Sequence, residues 1–330
     1  MTDSTTIERT AVLSVAGLSV DLPGPDGPVR IIDDVSFDIP AATTVGVIGE
    51  TGSGKTMTAM AVIGLLPPGA EVTGSIRFGG LDLVACPPAK LREVRGRRIS
   101  VIFQDPMSSL NPTQRIGRQV GEVLRRSGVP RGEVRRRVVE MLDRVGIPSP
   151  SERARAYPHE LSGGLRQRAM IAMAMIAHPT LVLADEPTTA LDVTVQARVL
   201  ATLRKLQDEE GSAMLLVSHD LRVVSHVAQD LVVLYAGRIA ERGPAASILR
   251  KPAHPYTKAL ARSVPAVRTK TAIADPLPGT AAVPARRPSG CAFHPRCPLA
   301  AERCRTEVPP LREVVPGRWS ACHFAEEVYQ

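Results

Sequence analysis

The sequence predicts an α/β fold in which a sheet of buried strands is flanked by helices. Two apolar, strand-like runs support this prediction: residues 43–48 lead into a glycine-rich loop, and residues 181–184 end in two acids. Helical patterns at about 54–65 and 193–210 follow these two runs along the chain. Alternation of buried strands with helices is typical of a parallel sheet that binds ligands at the carboxyl ends of its strands.

The other predicted elements follow from periodicity and turn residues. In chain order they are short strands within 11–40, interrupted by PGPDGP at 23–28; further short strands at 71–84 and 98–103; a basic helical region at about 115–160; a helix at 163–177; a strand at 213–218; and a hairpin at 230–241 with Ala-Gly at its turn. Prolines and small residues dominate after about 264, which predicts a domain boundary there.

Length and composition limit the functional classes. The 330 residues suit one large or two unequal domains, and the 44% of hydrophobic residues suffice for a core. No run reaches the roughly 18–20 apolar residues of a membrane helix. The N-terminal sequence MTDSTTIERT lacks the pattern of a signal peptide. We therefore expect a cytosolic chain that reaches any membrane through partner subunits.

The net charge of +8 raises the question of nucleic-acid binding, since many arginines lie in 92–98 and 125–137. Aromatic residues make up only 3% of the chain and do not interleave with these arginines to stack on bases. A solvated basic helix face, or an arginine-rich genome, explains the charge better. We expect no nucleic-acid partner.

The segment GETGSGKT at 49–56 fits the pattern G-x-x-x-x-G-K-[ST] and lies between a predicted strand and a predicted helix. Glycines let the backbone wrap around phosphates, and the helix N-terminus presents N–H groups to the anion. Lys55 is expected to reach the β- and γ-phosphates, and Thr56 to bind Mg²⁺. The candidate phosphate-binding residues are Gly49, Glu50, Thr51, Gly52, Ser53, Gly54, Lys55 and Thr56.

The strand-like run at 181–184 is followed by Asp185 and Glu186. Acids at the carboxyl end of such a strand face the ligand crevice. We expect Asp185 to hold Mg²⁺ and Glu186 to polarise the attacking water as a general base.

The segment LSGGLRQ at 161–167 resembles the signature motif of ABC ATPases. The resemblance implies an ABC-type nucleotide-binding domain of the P-loop NTPase class, with a mixed sheet and a helical subdomain at about 105–160. It also implies a head-to-tail ATPase dimer. In that dimer Ser162, Gly163 and Gly164, with Gln167, bind the ATP held by the opposite subunit.

Three further elements of the ABC ATPase pattern occur in order. Gln104 resembles the Q-loop glutamine, residues 190–192 (ALD) resemble the D-loop, and His219 resembles the switch histidine. The resemblance implies that Gln104 and His219 join Glu186 at the catalytic centre. It further implies that Gln104 binds Mg²⁺ together with Thr56 and Asp185.

Longer segments narrow the resemblance to the ATP-binding subunits of dipeptide, oligopeptide and nickel importers. These segments are FQDPMSSLNP (103–112), YPHELSGGLRQR (157–168), ADEPTTALDVTVQA (184–197), HPYTKAL (254–260) and GCAFHPRCP (290–298). The resemblance implies an ATPase domain at 1–263 and a small Pro/Cys-rich C-terminal domain at 264–330. The implied partners are a second, related ATPase subunit, two transmembrane permease subunits and an extracytoplasmic solute-binding protein. The implied location is the cytoplasmic face of the membrane.

The function expected from this resemblance is ATP-driven uptake of di- or oligopeptides. Import of nickel or another small solute is the main alternative. An ABC exporter is disfavoured by the C-terminal segments. A non-transport ABC ATPase is disfavoured because residues 56–161 lack the sustained heptads of repair proteins and the chain carries one ATPase unit.

One departure from the ABC pattern concerns the adenine base, which these ATPases usually stack on an aromatic residue upstream of the phosphate loop. Residues 11–36 contain no aromatic residue. Leu22 lies near the expected position, and Arg30 is a candidate to cover the base. Thr51 and Thr56 replace two serines of the usual loop and keep the hydroxyl groups.

Four of the five cysteines, Cys291, Cys297, Cys304 and Cys322, lie within the last 40 residues. Their spacing matches neither a C-x₂-C zinc ribbon nor a ferredoxin run, so it indicates only a soft-metal site or unbound thiols, with His294 and His323 as substitute ligands. The importer resemblance implies a [4Fe-4S] cluster on the four cysteines, with zinc as the alternative. Cys86 is interpreted as an ordinary cysteine.

Overall fold

A computed structural model of the chain describes residues 11–189, 192–262 and 279–330, with the side chain of Val193 left aside. The strands of these ranges are β1 (Ala11–Gly24), β2 (Gly27–Pro40), β3 (Thr44–Ile48), β4 (Glu71–Phe78), β5 (Leu81–Asp82), β6 (Ile99–Ile102), β7 (Leu181–Asp185), β8 (Ala213–Ser218), β9 (Asp230–Tyr235), β10 (Arg238–Pro244), β11 (Arg312–Val315) and β12 (Arg318–Ser320).

The helices of the same ranges are α1 (Lys55–Val62), α2 (Pro88–Val94), α3 (Pro106–Ser109), α4 (Ile116–Val120), α5 (Glu122–Arg126), α6 (Arg131–Arg144), α7 (Pro150–Arg153), α8 (Gly163–Met175), α9 (Val193–Glu210), α10 (Leu221–Val227), α11 (Ala245–Arg250), α12 (Pro255–Arg262), α13 (Glu302–Thr306) and α14 (Ala325–Tyr329). Short 3₁₀ turns occur at Pro158–Glu160, Pro284–Arg286 and His294–Arg296. Among the described helices, none is long and apolar enough to cross a membrane.

The larger sheet has the strand order β11-β12-β10-β9-β3-β8-β7-β6 over the described residues. β9, β3, β8, β7 and β6 run parallel, while β10, β12 and β11 continue the sheet antiparallel. Every residue of β3 and β8 is buried, as expected for strands covered on both faces. The predicted mixed sheet is therefore confirmed, and the predicted hairpin at 230–241 forms with Ala236 and Gly237 at its turn.

Alternating side chains of the large sheet enter two cores, one on each face. Leu181 and Leu183 of β7 pack in the core shared with the smaller sheet, while Val182 and Ala184 pack in the opposite core with α6 and α8. This alternation is the two-residue period of a strand. The sheet is thus held rigidly between two apolar layers.

The smaller sheet is antiparallel, with the order β2-β1-β4-β5. The sequence predicts short strands within 11–40, and this prediction is wrong in length, because β1 and β2 each span 14 residues. Gly24 pairs with Gly27, so the turn-rich stretch at 23–28 contracts to a tight turn at Pro25 and Asp26. Pro23, Gly24, Gly27 and Pro28 are typical turn residues, but here they are paired residues of β1 and β2.

The C-terminal residues join the main sheet. In β12, Ser320 pairs with Glu241 of β10 and Trp319 pairs with Arg242. Arg318 forms an ion pair with Glu241, and both side chains are buried. The domain boundary predicted near 264 falls within 263–278, outside the described residues.

Candidate functional site

The predicted phosphate loop, magnesium ligands and catalytic residues lie at the carboxyl edge of four adjacent parallel strands, in the order β3, β8, β7, β6. The phosphate loop follows β3, His219 follows β8, Glu186 follows β7, and Gln104 comes two residues after β6. Neighbouring parallel strands end at one edge, so residues more than 100 positions apart meet there.

Within the phosphate loop, Gly54 has φ +103° and precedes Lys55, the first residue of α1. The positive φ favours glycine here, and a Cβ would in addition lie 2.5 Å from Ile32 Cδ1, the end of a side chain that would have to move. Lys55 is buried, and its ammonium group donates to the carbonyls of Gly49 (2.8 Å) and Glu50 (3.0 Å). Burial lowers the pKa of Lys55, and the nearby carboxylates of Glu186 and Asp185 oppose that shift.

Asp185 lies beside the start of α1, where Thr56 Oγ1 donates to Asp185 Oδ1 over 3.2 Å. The carboxyl is buried, and burial raises its pKa; the adjacent negative charge of Glu186 raises the pKa further, while Thr56 and Lys55 lower it. A hydroxyl and a carboxylate at this spacing are oxygen donors suited to Mg²⁺, which takes few protein ligands.

Glu186 has a left-handed backbone, with φ +45°, which is costly for a residue other than glycine. Its side chain accepts hydrogen bonds from Gln104 Nε2 (3.0 Å) and Thr189 Oγ1 (2.8 Å), and it lies 3.1 Å from Nδ1 of His219. The structure therefore brings together the three residues predicted to be catalytic. Thr189 was not anticipated, although it lies in the ADEPTTALDVTVQA segment.

The signature segment opens α8 on the surface. Ser162 caps the helix by accepting from the Leu165 N–H (3.4 Å), and both Ser162 and Gly163 are exposed. Gln167 is buried, and its amide donates to the carbonyl of Pro187, directly after Glu186. Within the chain, Gln167 thus joins α8 to the Glu186 segment. The role expected for these residues toward ATP stays a prediction.

In the segment that resembles the D-loop, residues 190 and 191 lie outside the described residues. Asp192 caps α9 by accepting from the N–H groups of Thr194 (3.1 Å) and Val195 (2.9 Å). Within the chain, Asp192 therefore has a helix-capping role.

The candidates for the base occupy the β1–β2 hairpin. Leu22 pairs with Val29 and is half-buried. The Arg30 guanidinium donates to Asp21 (2.7 and 2.8 Å) and to Asp33 (3.5 Å). Arg30 would have to leave or share these carboxylates to cover a base, and its predicted role stays a prediction.

The C-terminal cysteines are all free thiols, and among the described residues no group of three or more His, Cys, Asp or Glu is spaced to hold a metal ion. Burial raises the pKa of the Cys291, Cys297 and Cys322 thiols, that of Cys322 to about 12. Neighbouring cysteines raise these pKa values further. His294 and His323 bond to the carbonyls of Cys291 (3.0 Å) and Glu307 (3.0 Å). Cys86 lies far from these four cysteines in the sequence, and its thiol contacts the carbonyl of Leu83 (3.6 Å).

Two contacts from residues late in the chain, one in α12 and one in the C-terminal part, reach the phosphate loop and were not predicted. The Glu50 N–H donates to the hydroxyl of Tyr256 (2.8 Å), and Arg296 donates to both carboxylate oxygens of Glu50 (2.6 and 3.0 Å). Both residues belong to segments that the sequence marks, HPYTKAL and GCAFHPRCP. Their target could not be inferred, because it lies about 200 or more residues earlier.

Two family profiles match the chain. The one described as "ABC transporter" matches residues 32–189, and the one described as "Oligopeptide/dipeptide transporter, C-terminal region" matches residues 240–304.

Similar proteins cover nearly the whole chain. The oligopeptide transport ATP-binding protein OppD of Escherichia coli is 44% identical over 313 residues, which are 94% of this chain and 93% of that protein. The dipeptide transport ATP-binding protein DppD of Escherichia coli is 42% identical over 316 residues, 95% and 97% of the two chains.

Solved structures share the fold. The ATP-binding cassette MJ0796, a dimer bound to ADP and Pi, matches with a TM-score of 0.63 and 24% identity, covering 71% of this chain and 98% of its own. CbiO1 from Clostridium perfringens matches with a TM-score of 0.62 and 25% identity, covering 73% of this chain and 91% of its own. The predicted fold class is confirmed.

The buried Asp185 carboxyl yields a prediction about stability. Its raised pKa means that the folded chain binds more protons than the unfolded chain at pH values above the ordinary 3.8, so stability falls as pH rises through this window. Asp185→Asn removes the charge, and we expect it to stabilise the nucleotide-free protein at pH 7.5 by about 1–2 kcal/mol. Thermal unfolding should show this gain shrinking as the pH is lowered.

Asp208→Asn is the matched control, since the side chain of Asp208 is 71% exposed on α9. This control should leave the melting temperature unchanged within error. A lower melting temperature for Asp185→Asn than for the wild type at pH 7.5 would contradict the proposed charge burial.

Proposed function

This chain belongs to the ABC transporter family, among the ATP-binding proteins of oligopeptide and dipeptide transporters, and we propose that it hydrolyses ATP to drive import of di- or oligopeptides. The observation that carries this proposal is the convergence of Gln104, His219 and Glu186 beside the phosphate loop, with contacts of 3.0 and 3.1 Å to the Glu186 carboxylate.

Nucleotide binding begins at residues 49–56. Backbone N–H groups at the start of α1 and the Lys55 ammonium face the phosphates, since a helix N-terminus favours anions. Lys55 must exchange its bonds to the carbonyls of Gly49 and Glu50 for phosphate oxygens. The loop carbonyls therefore keep the ammonium solvated by the protein until the nucleotide arrives.

Thr56 and Asp185, with Gln104, are the residues that would hold magnesium. When bound, the ion neutralises charge on the β- and γ-phosphates. Asp185 has a raised pKa because of burial, so a nearby cation would favour its charged form. The chain's own contribution is thus an oxygen pair already aligned at 3.2 Å.

Glu186 is the proposed general base, and it polarises the attacking water. Its carboxylate is now occupied by Gln104, Thr189 and His219, so these groups hold its orientation before water enters. The left-handed backbone at Glu186 fixes the direction in which the carboxylate leaves β7. Preorganised groups of this kind are a main source of rate enhancement.

A second ATPase subunit completes the site in this proposal. Ser162 and Gly163 are exposed at the N-terminus of α8, which is a suitable anion site for ATP held by a partner. Gln167 bonds to Pro187, beside Glu186, and so links the start of α8 to the catalytic glutamate of the same chain. Closure of α8 on the partner's ATP would therefore be felt at this chain's own nucleotide site.

The proposed assembly places the chain at the cytoplasmic face of the membrane, with a related ATPase subunit, two permease subunits and an extracytoplasmic solute-binding protein. The surface around Gln104 and the helices α3 to α7 would contact the permeases. Support for peptide as the cargo comes from the relatives, which are named for oligopeptide and dipeptide transport. Nickel or another small solute is the alternative.

The four C-terminal cysteines are proposed to hold a [4Fe-4S] cluster, with zinc as the alternative. The chemistry of the donor set fits, since all four thiols are free of disulfides and cysteine thiolates are the usual ligands of such clusters. The side chains are not spaced for a metal ion among the described residues, so binding requires them to rearrange.

Glu186→Gln tests the catalytic proposal. The amide cannot act as a base, so we expect ATP hydrolysis by the assembled transporter to fall about 10²–10³-fold while ATP binding persists. Size-exclusion chromatography with MgATP should show a stable ATPase dimer for this variant. Asp208→Asn is the control, since that side chain is 71% exposed on α9, outside the surface proposed to contact the permeases; hydrolysis by Glu186→Gln at the rate of Asp208→Asn would refute the assignment.

Uptake assays test the cargo. Deletion of the gene in its native host should abolish uptake of a radiolabelled tripeptide, and the wild-type gene should restore it. The Glu186→Gln gene should not, because transport depends on turnover. Normal tripeptide uptake in the deletion strain, together with lost uptake of radioactive nickel, would select the alternative cargo.

Anaerobic purification tests the cysteine proposal. The wild-type protein should be brown and contain iron and sulfide, whereas Cys304→Ser should lose the colour because one ligand is absent. Cys86→Ser is the control and should keep it. A colourless wild-type protein with stoichiometric zinc would favour the zinc site. A metal-free protein would show that the four thiols bind no metal and would refute both sites.

A further inference from the structure

The phosphate loop carries an acidic residue, Glu50, in direct contact with the C-terminal part of the chain. Arg296 donates to Glu50 Oε2 over 2.6 Å and to Oε1 over 3.0 Å, a bidentate ion pair between residues 246 positions apart. The Arg296 side chain is 5% exposed and the Glu50 side chain 27% exposed. Bidentate pairs with one buried partner have a well-defined geometry, unlike most surface ion pairs.

Arg296 is held firmly in its place. It ends the 3₁₀ turn His294–Arg296, whose N–H groups bond to the carbonyls of Cys291 and Phe293. Its guanidinium also contacts the hydroxyl of Tyr235 (3.4 Å). The rings of Tyr235, Tyr256 and Phe293 pack against one another, with centroids 4.6 to 5.4 Å apart. The arginine is therefore presented to the loop by a rigid aromatic support.

The charge of Glu50 matters for the phosphate site. The Lys55 ammonium donates to the backbone carbonyl of Glu50 over 3.0 Å, so the carboxylate belongs to a residue that the phosphate-binding lysine already contacts. An unpaired carboxylate here would attract the Lys55 ammonium away from the nucleotide and would repel the phosphates. Arg296 offsets that charge, and its bidentate grip also fixes the direction of the Glu50 side chain.

We propose that Arg296 is a positioning residue for nucleotide binding, which neutralises and orients Glu50 so that the C-terminal segment carrying Cys291 and Cys297 sets the affinity of the phosphate loop. The inference rests on the proposed function, since it concerns the same nucleotide site. The C-terminal part would thus act on nucleotide binding through Glu50, in addition to the contacts that residues 49–56 make themselves.

The test measures binding of MgADP to the full-length chain by titration calorimetry, so that turnover does not interfere. Arg296→Gln leaves Glu50 charged and unpaired, and we expect it to weaken MgADP binding about tenfold. The double variant Glu50→Gln with Arg296→Gln removes the unpaired charge, and it should recover most of the lost affinity. Recovery on removing a second residue distinguishes charge neutralisation from simple structural support.

Arg318→Gln is the matched control, because Arg318 forms a similarly buried ion pair from the C-terminal part, with Glu241, away from the phosphate loop. It should lower the melting temperature without changing MgADP affinity. Wild-type affinity in Arg296→Gln would overturn the proposal. So would equally weak binding by Arg296→Gln and the double variant, which would reduce Arg296 to a structural role.

Arg296→Lys serves if the glutamine variant does not fold, since it keeps the charge and loses the bidentate geometry. Its affinity should lie between those of the wild type and Arg296→Gln, and Glu50→Gln should raise it. No effect of Glu50→Gln in this background would overturn the proposal. Absence of MgADP binding by the wild type would overturn the proposed function itself, which is a different result from normal binding by Arg296→Gln.

Discussion

The buried ammonium group of Lys55 is the constraint on which the site depends. Lys55 is solvated by two carbonyls of its own loop, and the carboxylates of Glu50, Asp185 and Glu186 act on it without taking those hydrogen bonds. A cation held in this way retains its attraction for an incoming polyphosphate, because no carboxylate must first be displaced. The nearby acids are instead engaged by Thr56, by Gln104 and His219, and by Arg296.

The sheet explains why these groups meet. Four parallel strands, β3, β8, β7 and β6, end at one edge, and each contributes the residues that follow it. The apolar cores on both faces hold the strands in register, so small displacements of the loops are resisted by dense packing. Glu186 has an unfavourable backbone conformation at this edge, which persists because its amide bonds to Val217 (2.9 Å) and its side chain has three partners.

Two of the contacts between the C-terminal part and the ATPase core differ in character. The β11–β12 hairpin extends the large sheet and buries the Arg318–Glu241 pair, which contributes to the fold. Residues 291–297 instead bring Arg296 to the phosphate loop, next to two of the cysteines. The same short segment therefore contacts the phosphate loop and carries two candidate metal ligands. The two sites are thus only a few residues apart in the backbone.

The sequence by itself determined the fold class and the family, and it predicted the phosphate loop and the acids at the end of β7, because each depends on local spacing: glycines where the backbone must turn, apolar runs for buried strands, and motifs in a fixed order. It could not determine the length of β1 and β2, since Gly24 and Gly27 pair only when the whole hairpin forms. Only the tertiary structure decided that Thr189 bonds to Glu186, that Gln167 contacts Pro187 and that Arg296 pairs with Glu50. Thr189 and Glu186 meet in the turn after β7, whereas Arg296 and Glu50 meet only through the folding of the sheet, since partners 246 positions apart leave no periodic trace in one chain.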